Sequence, residues 1–254
     1  MTLPTPRTLL LALAITGAIV TVVIVANYLI IRTNGRPVAV PEIPRSVESF
    51  GTGTPLKLMV LGDSTTVSQG SDYDQGYARG VARHLAGKGS QVQLYNVGVS
   101  GAQAADVAEQ QVAKSADFKP DIAIVGVGAN DVTHLTRIAT VRQHLQATIK
   151  SLRAANPNVR IVLTGSPQMG SVPRFPQPAK ALARLRTGQI NRMVIDLARE
   201  SKVTFAPIAA RTGPEFDKHP EYFAADKFHP NSTGYALWTP VIADAVASAQ
   251  QPRE

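Results

Sequence analysis

Leu56-Lys57-Leu58-Met59-Val60-Leu61-Gly62-Asp63-Ser64 is the stretch on which the fold turns. Six residues, apolar but for Lys57, run straight into a glycine, an acid and a serine. A run this short, closed by glycine and rich in Leu and Val, reads as a buried strand. Its polar end then lies outside the sheet, where open α/β folds carry their chemistry.

Working outward, the same grammar repeats. A helix is expected over 76–86, a second strand over 92–97 and a helix over 103–113. A third strand is expected over 122–127, followed by a helix over 138–154 in which Ile138, Val141, Leu145, Ile149 and Leu152 recur at helical spacing. A strand over 159–163, a helix over 179–199, a strand over 203–205 and a closing helix over 232–249 complete the pattern. Strands alternating with helices imply a parallel sheet covered on both faces. The expectation is an α/β protein, a flavodoxin-like three-layer αβα sandwich on a five-stranded parallel sheet.

Upstream the character changes. Residues 9–31 carry no charge, and as a helix they would rise about 34 Å, enough for a bilayer core of about 30 Å. A secretory signal has a shorter apolar region, so an uncleaved membrane anchor is expected, with cleavage near Val38-Ala39-Val40 as the alternative. Arg7 flanks one end and Arg32, Arg36 and Arg45 the other. That distribution opposes export, yet a lone N-terminal apolar segment usually acts as an export signal, so the domain is placed outside the cytoplasm. Gly35, Pro37, Pro41, Pro44, Gly51, Gly53 and Pro55 then break any regular pattern. The expected layout is an anchor over 1–31, a tether over 32–55 that holds the domain away from the membrane, and a catalytic domain over 56–250.

Composition narrows the chemistry. With no cysteine, disulfides, thiolate metal sites and a cysteine nucleophile are excluded. The net charge of +8 favours anionic partners, but no Lys/Arg run interleaves with aromatic residues, so nucleic acid is not expected. No His-Glu-x-x-His or similar spacing occurs, and no metal or cofactor is implied.

Four strand ends or loops carry the candidate site. They are Gly62-Asp63-Ser64, Val99-Ser100-Gly101, Gly128-Ala129-Asn130-Asp131 and Asp226-Lys227-Phe228-His229-Pro230. In order and in setting these resemble the blocks of the SGNH/GDSL hydrolases, over about residues 56–249. The resemblance implies an esterase or lipase with Ser64 as nucleophile, Asp226 and His229 completing a triad, and Ser64, Gly101 and Asn130 forming an oxyanion hole. Thr65 stands where the family name has leucine, a position without a chemical role.

Elementary chemistry asks for the same residue types. A serine hydroxyl is a weak nucleophile until a nearby base takes its proton, and histidine does this near neutral pH when a carboxylate orients it. Each tripeptide alone is weak, because Asn-Asp after a strand is as often a turn and Asp226 as readily a cap. Their order along successive strand ends carries the reading. Asp63 and Asp131 are expected to support local hydrogen bonds. His219, in Asp217-Lys218-His219-Pro220, mimics the last block one residue too tightly. His84, His134 and His144 read as surface or packing residues.

Two further features stay open. The Pro-rich loop 165–178, with Met169, Val172 and Phe175, either receives an acyl chain or packs on itself. Arg174, Lys180, Arg184, Arg186 and Arg192 make a basic stretch, either a solvated helix face or a contact for anionic headgroups or an acidic glycan. The expected substrate is an ester, on an acyl lipid or an acylated glycan. Transfer of the acyl group to a sugar or lipid hydroxyl, or ligand binding without catalysis, are the alternatives. Oligomeric state leaves no trace in the sequence.

Overall fold

A computed structural model describes residues 6–250; the first five residues of the expected anchor lie outside it. Helix α1 (Pro6–Thr33) buries none of its residues and is long and apolar enough to cross a membrane. Six strands follow: β1 (Glu48–Phe50), β2 (Thr54–Gly62), β3 (Ser90–Asn96), β4 (Ile122–Gly126), β5 (Arg160–Leu163) and β6 (Thr204–Phe205). The remaining helices are α2 (Tyr77–Gly87), α3 (Ala104–Asp106), α4 (Ser115–Phe118), α5 (Ala129–Thr133), α6 (Ile138–Ala155), α7 (Ala179–Glu200), α8 (Ile208–Lys218) and α9 (Ser232–Gln250).

The sheet order is β1-β3-β2-β4-β5-β6. All neighbours are parallel except β1, which runs antiparallel to β3 with Glu48 opposite Leu94 and Phe50 opposite Val92. The five expected strands are present in the flavodoxin-like order. The sixth, β1, falls inside the stretch read as tether and makes the sheet mixed. Three residues between Pro44 and Gly51 show no alternation, so only the edge of β3 calls them into a ladder.

Side chains alternate across the sheet as period two requires. Met59, Leu61, Ala123, Val125, Ile161 and Leu163 join one core cluster with Leu145, Ile149, Ile190 and Val194 of α6 and α7. Leu58, Val60, Ile122, Ile124 and Val162 join the other with Tyr77, Val81, Tyr235 and Trp238 of α2 and α9. Both faces are therefore buried, which is why β2 and β4 read as nearly continuous apolar runs.

Two local departures matter for the site. The helix expected over 103–113 breaks after α3 into a wide turn over Val107–Gln111 and a tight turn over Val112–Lys114. Helix α8 escaped the pattern reading because Thr212, Gly213 and Pro214 interrupt its apolar spacing. The chain order reverses at β2, with β3 on one side and β4 on the other, opening the crevice outside their carboxyl ends.

Candidate active site

Ser64 sits just past the end of β2, 5% exposed. Gly62 makes this corner possible: its φ is +149°, and a Cβ there would lie 2.0 Å from the Gly126 carbonyl. Residues 64–70 are successive turns, with the Gln69 N–H donating to the Ser64 carbonyl at 3.0 Å. No long helix starts at Ser64, so no helix dipole points at it. Asp63 is buried and accepts from the Thr65 N–H and hydroxyl at 2.9 and 2.8 Å. Burial pushes its carboxyl up to about 6.

The last block forms a compact turn. The Ala224 N–H donates to the His229 carbonyl at 2.8 Å and the Lys227 N–H to the Ala224 carbonyl at 2.9 Å. Lys227 takes a φ of +55° at the tip. Asp226 Oδ1 accepts from the backbone N–H of Phe228 and of His229, both at 3.0 Å, while Oδ2 lies 2.6 Å from His229 Nδ1. On the other side of the ring, His229 Nε2 lies 2.9 Å from Ser64 Oγ. Burial would raise the Asp226 carboxyl, but the hydrogen bond and charge of His229 outweigh it and hold the group below the usual carboxylate range. Phe228 meets the His229 ring edge-on with centroids 4.9 Å apart, which limits its swing.

The ends of β3 and β4 close on the same corner. Asn96 Nδ2 donates to the Thr66 carbonyl at 2.7 Å, and Asn130 Nδ2 donates one proton to the Ala102 carbonyl at 2.9 Å. The second proton of that amide is left over. Among the described residues the backbone N–H groups of Ser64 and Gly101 have no acceptor. Asp131 receives the Ala104 N–H at 3.1 Å, and burial raises its carboxyl.

The structure thus brings Ser64, His229 and Asp226 into one hydrogen-bonded line. His219 is elsewhere, bonded to Glu221 at 2.8 Å and stacked on Tyr222. His134 bonds the Asn130 carbonyl at 2.8 Å through Nδ1 and is exposed. Much of the basic stretch is occupied: Arg184 pairs with Asp217 at 2.7 Å, Arg186 donates to the Thr136 carbonyl, and Arg174 Nε donates to the Ile31 carbonyl at 2.7 Å.

Sequence reasoning missed Gln111. It is 2% exposed, and its amide both accepts from the Gly62 N–H and donates to the Gly62 carbonyl, each at 2.8 Å. A glutamine in an expected amphipathic helix gives no hint of this, because the wide turn that aims it inward is not periodic.

Beside Ser64 and His229 opens a cavity of about 30 Å³. Met169 and Val172 of the Pro-rich loop, Phe216, Phe223 and Trp238 give it apolar walls. The loop therefore lends side chains to the cleft rather than only packing on itself. Such a volume admits about two water-sized groups.

Comparison with known proteins bears on the family and the fold. A GDSL-like esterase of Mycobacterium tuberculosis, Rv1075c, is 30% identical over 199 residues, 76% of this chain and 62% of that protein. Esterase TesA of Pseudomonas aeruginosa is 28% identical over 105 residues, 41% of this chain and 52% of its own length. The chain thus spans between about half and two thirds of these relatives. Among solved structures, TesA superposes with a TM-score of 0.63 at 20% identity, covering 76% of this chain and 99% of that one. A lipase from a goat rumen metagenome, Lip_vut3, gives 0.62 at 18% identity over 78% and 99%. At these identities the likeness is one of fold. The GDSL-like lipase/acylhydrolase family model matches residues 60–237, which hold every block of the site, and the chain belongs to that family.

Proposed function

We propose that the chain hydrolyses carboxylic esters through an acyl-serine intermediate. The observation that carries this is the unbroken line from Asp226 through His229 to Ser64 Oγ, opening on an apolar cavity. Ser64 Oγ attacks the carbonyl carbon while His229 Nε2 takes its proton; Asp226 holds Nδ1–H and stabilises the imidazolium. The N–H groups of Ser64 and Gly101 and the spare amide proton of Asn130 receive the oxyanion. His229 returns the proton to the departing alcohol as the C–O bond breaks. Water then repeats the cycle, and the acid leaves with Ser64 restored.

The cavity favours a short acyl group. Its walls are aromatic and aliphatic, and a volume that admits about two water-sized groups suits an acetyl group. The length and apolar character of α1 support an uncleaved anchor, and we place the catalytic domain on the extracytoplasmic side. The test is turnover of p-nitrophenyl acetate by the full chain and by Ser64→Ala. Removal of a serine nucleophile costs roughly 10⁴–10⁶ in kcat. Undiminished turnover by a folded Ser64→Ala protein would overturn the reading. Accumulation of a new ester with an added alcohol, with no free acid, would assign acyl transfer instead.

A further inference from the structure

We propose that residues 27–38 form a rigid bracket that seats the catalytic mouth on the lipid surface, so that substrate enters from the membrane–water interface. This rests on reading α1 as membrane-spanning. It departs from the expectation of a tether holding the domain away.

The apolar, charge-free part of α1 over residues 9–26 rises about 27 Å, close to the thickness of a bilayer core. The next residues carry an interfacial signature. Tyr28 is exposed, and Arg32 lies over its ring at 5.5 Å while donating to its hydroxyl at 2.8 Å. Aromatic and cationic side chains of this kind sit at headgroup level.

Contacts to the domain begin at that same level. Asn27 Nδ2 donates to the Gln177 carbonyl at 3.2 Å, and the Ala179 N–H reaches Asn27 Oδ1 at 3.4 Å. Arg174 Nε donates to the Ile31 carbonyl in the last turn of α1. Asn34 Nδ2 donates to the Pro173 carbonyl at 3.0 Å, and Lys227 Nζ donates to Asn34 Oδ1 at 2.8 Å. The Arg36 N–H donates to the Ala225 carbonyl at 2.8 Å. Gly35 has a φ of +121°, and a Cβ there would stand 2.3 Å from the Asp226 carbonyl oxygen. The chain leaving the membrane therefore presses its backbone on the turn that carries Asp226 and His229. A flexible tether would make none of these contacts.

The surface around this junction is apolar. Leu135 is 54% and Leu182 46% exposed, and a groove of about 140 Å³ between them is lined also by Ile31, Val132 and Phe175. Phe175 packs edge-on against Phe228 at 5.8 Å, and Phe228 packs on His229. Val99, next to the loop of Gly101, is 54% exposed. Exposed leucines and a valine around one mouth, beside the end of an apolar helix, match insertion into the headgroup region.

Because the chain has no cysteine, single labels report position cleanly. Leu182→Cys and Leu135→Cys on the proposed lipid face, and Asn158→Cys and Lys88→Cys at the opposite ends of the strands, would each carry a fluorophore in the full chain. Each protein is reconstituted in phosphatidylcholine–phosphatidylglycerol vesicles with doxyl-labelled acyl chains, and retention of fold is checked by near-UV circular dichroism. The expected result is loss of fluorescence at Leu182 and Leu135 and none at Asn158 and Lys88. Equal, solvent-like signals at all four sites in protein that floats with the vesicles would overturn the bracket while leaving the anchor standing. Failure to float would remove the anchor itself, and the proposal with it.

Discussion

The side-chain amide of Gln111 grips the backbone of Gly62 at both its N–H and its carbonyl, each at 2.8 Å. Gly62 lies two residues before Ser64, so this grip sets where the corner carrying the proposed nucleophile begins. The Gly62 carbonyl has a second donor in the Val99 N–H at 3.0 Å; its N–H has only Gln111. Gln111→Leu keeps the volume but leaves that buried N–H unpaired, at a cost of about 1–3 kcal/mol. Urea unfolding should show the loss, and kcat should fall more than KM changes, since the corner shifts rather than the binding walls. An unchanged midpoint would deny the residue this role.

Asn130 offers one amide proton to the cleft while the other is fixed on the Ala102 carbonyl. Asn130→Ala should lower kcat by roughly 10²–10³ with KM little altered, because the lost bond strengthens only as the oxyanion forms. Steady-state kinetics on one acetate ester decides it. A loss confined to KM would place Asn130 in ground-state binding.

A cavity of about 30 Å³ makes chain length a sharp variable. Turnover should fall from acetyl through butyryl to octanoyl esters. Met169→Ala, which opens a wall that is 3% exposed, should shift the preference to longer chains. Each methylene a pocket accepts or refuses is worth roughly 1–3 kcal/mol in kcat/KM. A flat profile in both proteins would show that the acyl chain lies elsewhere.

Asp63, raised to about 6 by burial, gives a pH signature with a definite sign. A carboxyl whose folded pKa exceeds its unfolded value binds more protons when folded. It therefore favours the fold at low pH and withdraws that help as pH climbs from about 4 through 6. Asp63→Asn retains an Oδ1 acceptor for both Thr65 donors and cannot ionise. Relative to the parent, it should gain stability between pH 4.5 and pH 7, on the order of 1–2 kcal/mol. Denaturant midpoints at the two pH values measure this. The same difference at both would place the Asp63 carboxyl in an ordinary range.

Much of the architecture was legible because strands buried on both faces must be apolar, and because helices packed on one face must be periodic. Residues 56–61 and 122–127, and the spacing from Ile138 to Leu152, obey those demands locally. The elements that were not legible lack such a demand. Strand β1 exists through its neighbour β3, α8 contains Thr212-Gly213-Pro214, and the turn holding Gln111 has no helical period.

What the sequence determined alone was the residue types of the candidate site and the strand ends or loops on which they stand, since both follow from short-range pattern. Only tertiary structure decided that His229 Nε2 comes within 2.9 Å of Ser64 Oγ across 165 residues of chain. The same holds for Ile31, whose carbonyl meets Arg174 across 143 residues. The physical reason is common to both. Side-chain periodicity specifies which face of each element is buried, whereas distances between loops depend on how sheet order and packing bring the carboxyl ends of separate strands to one edge.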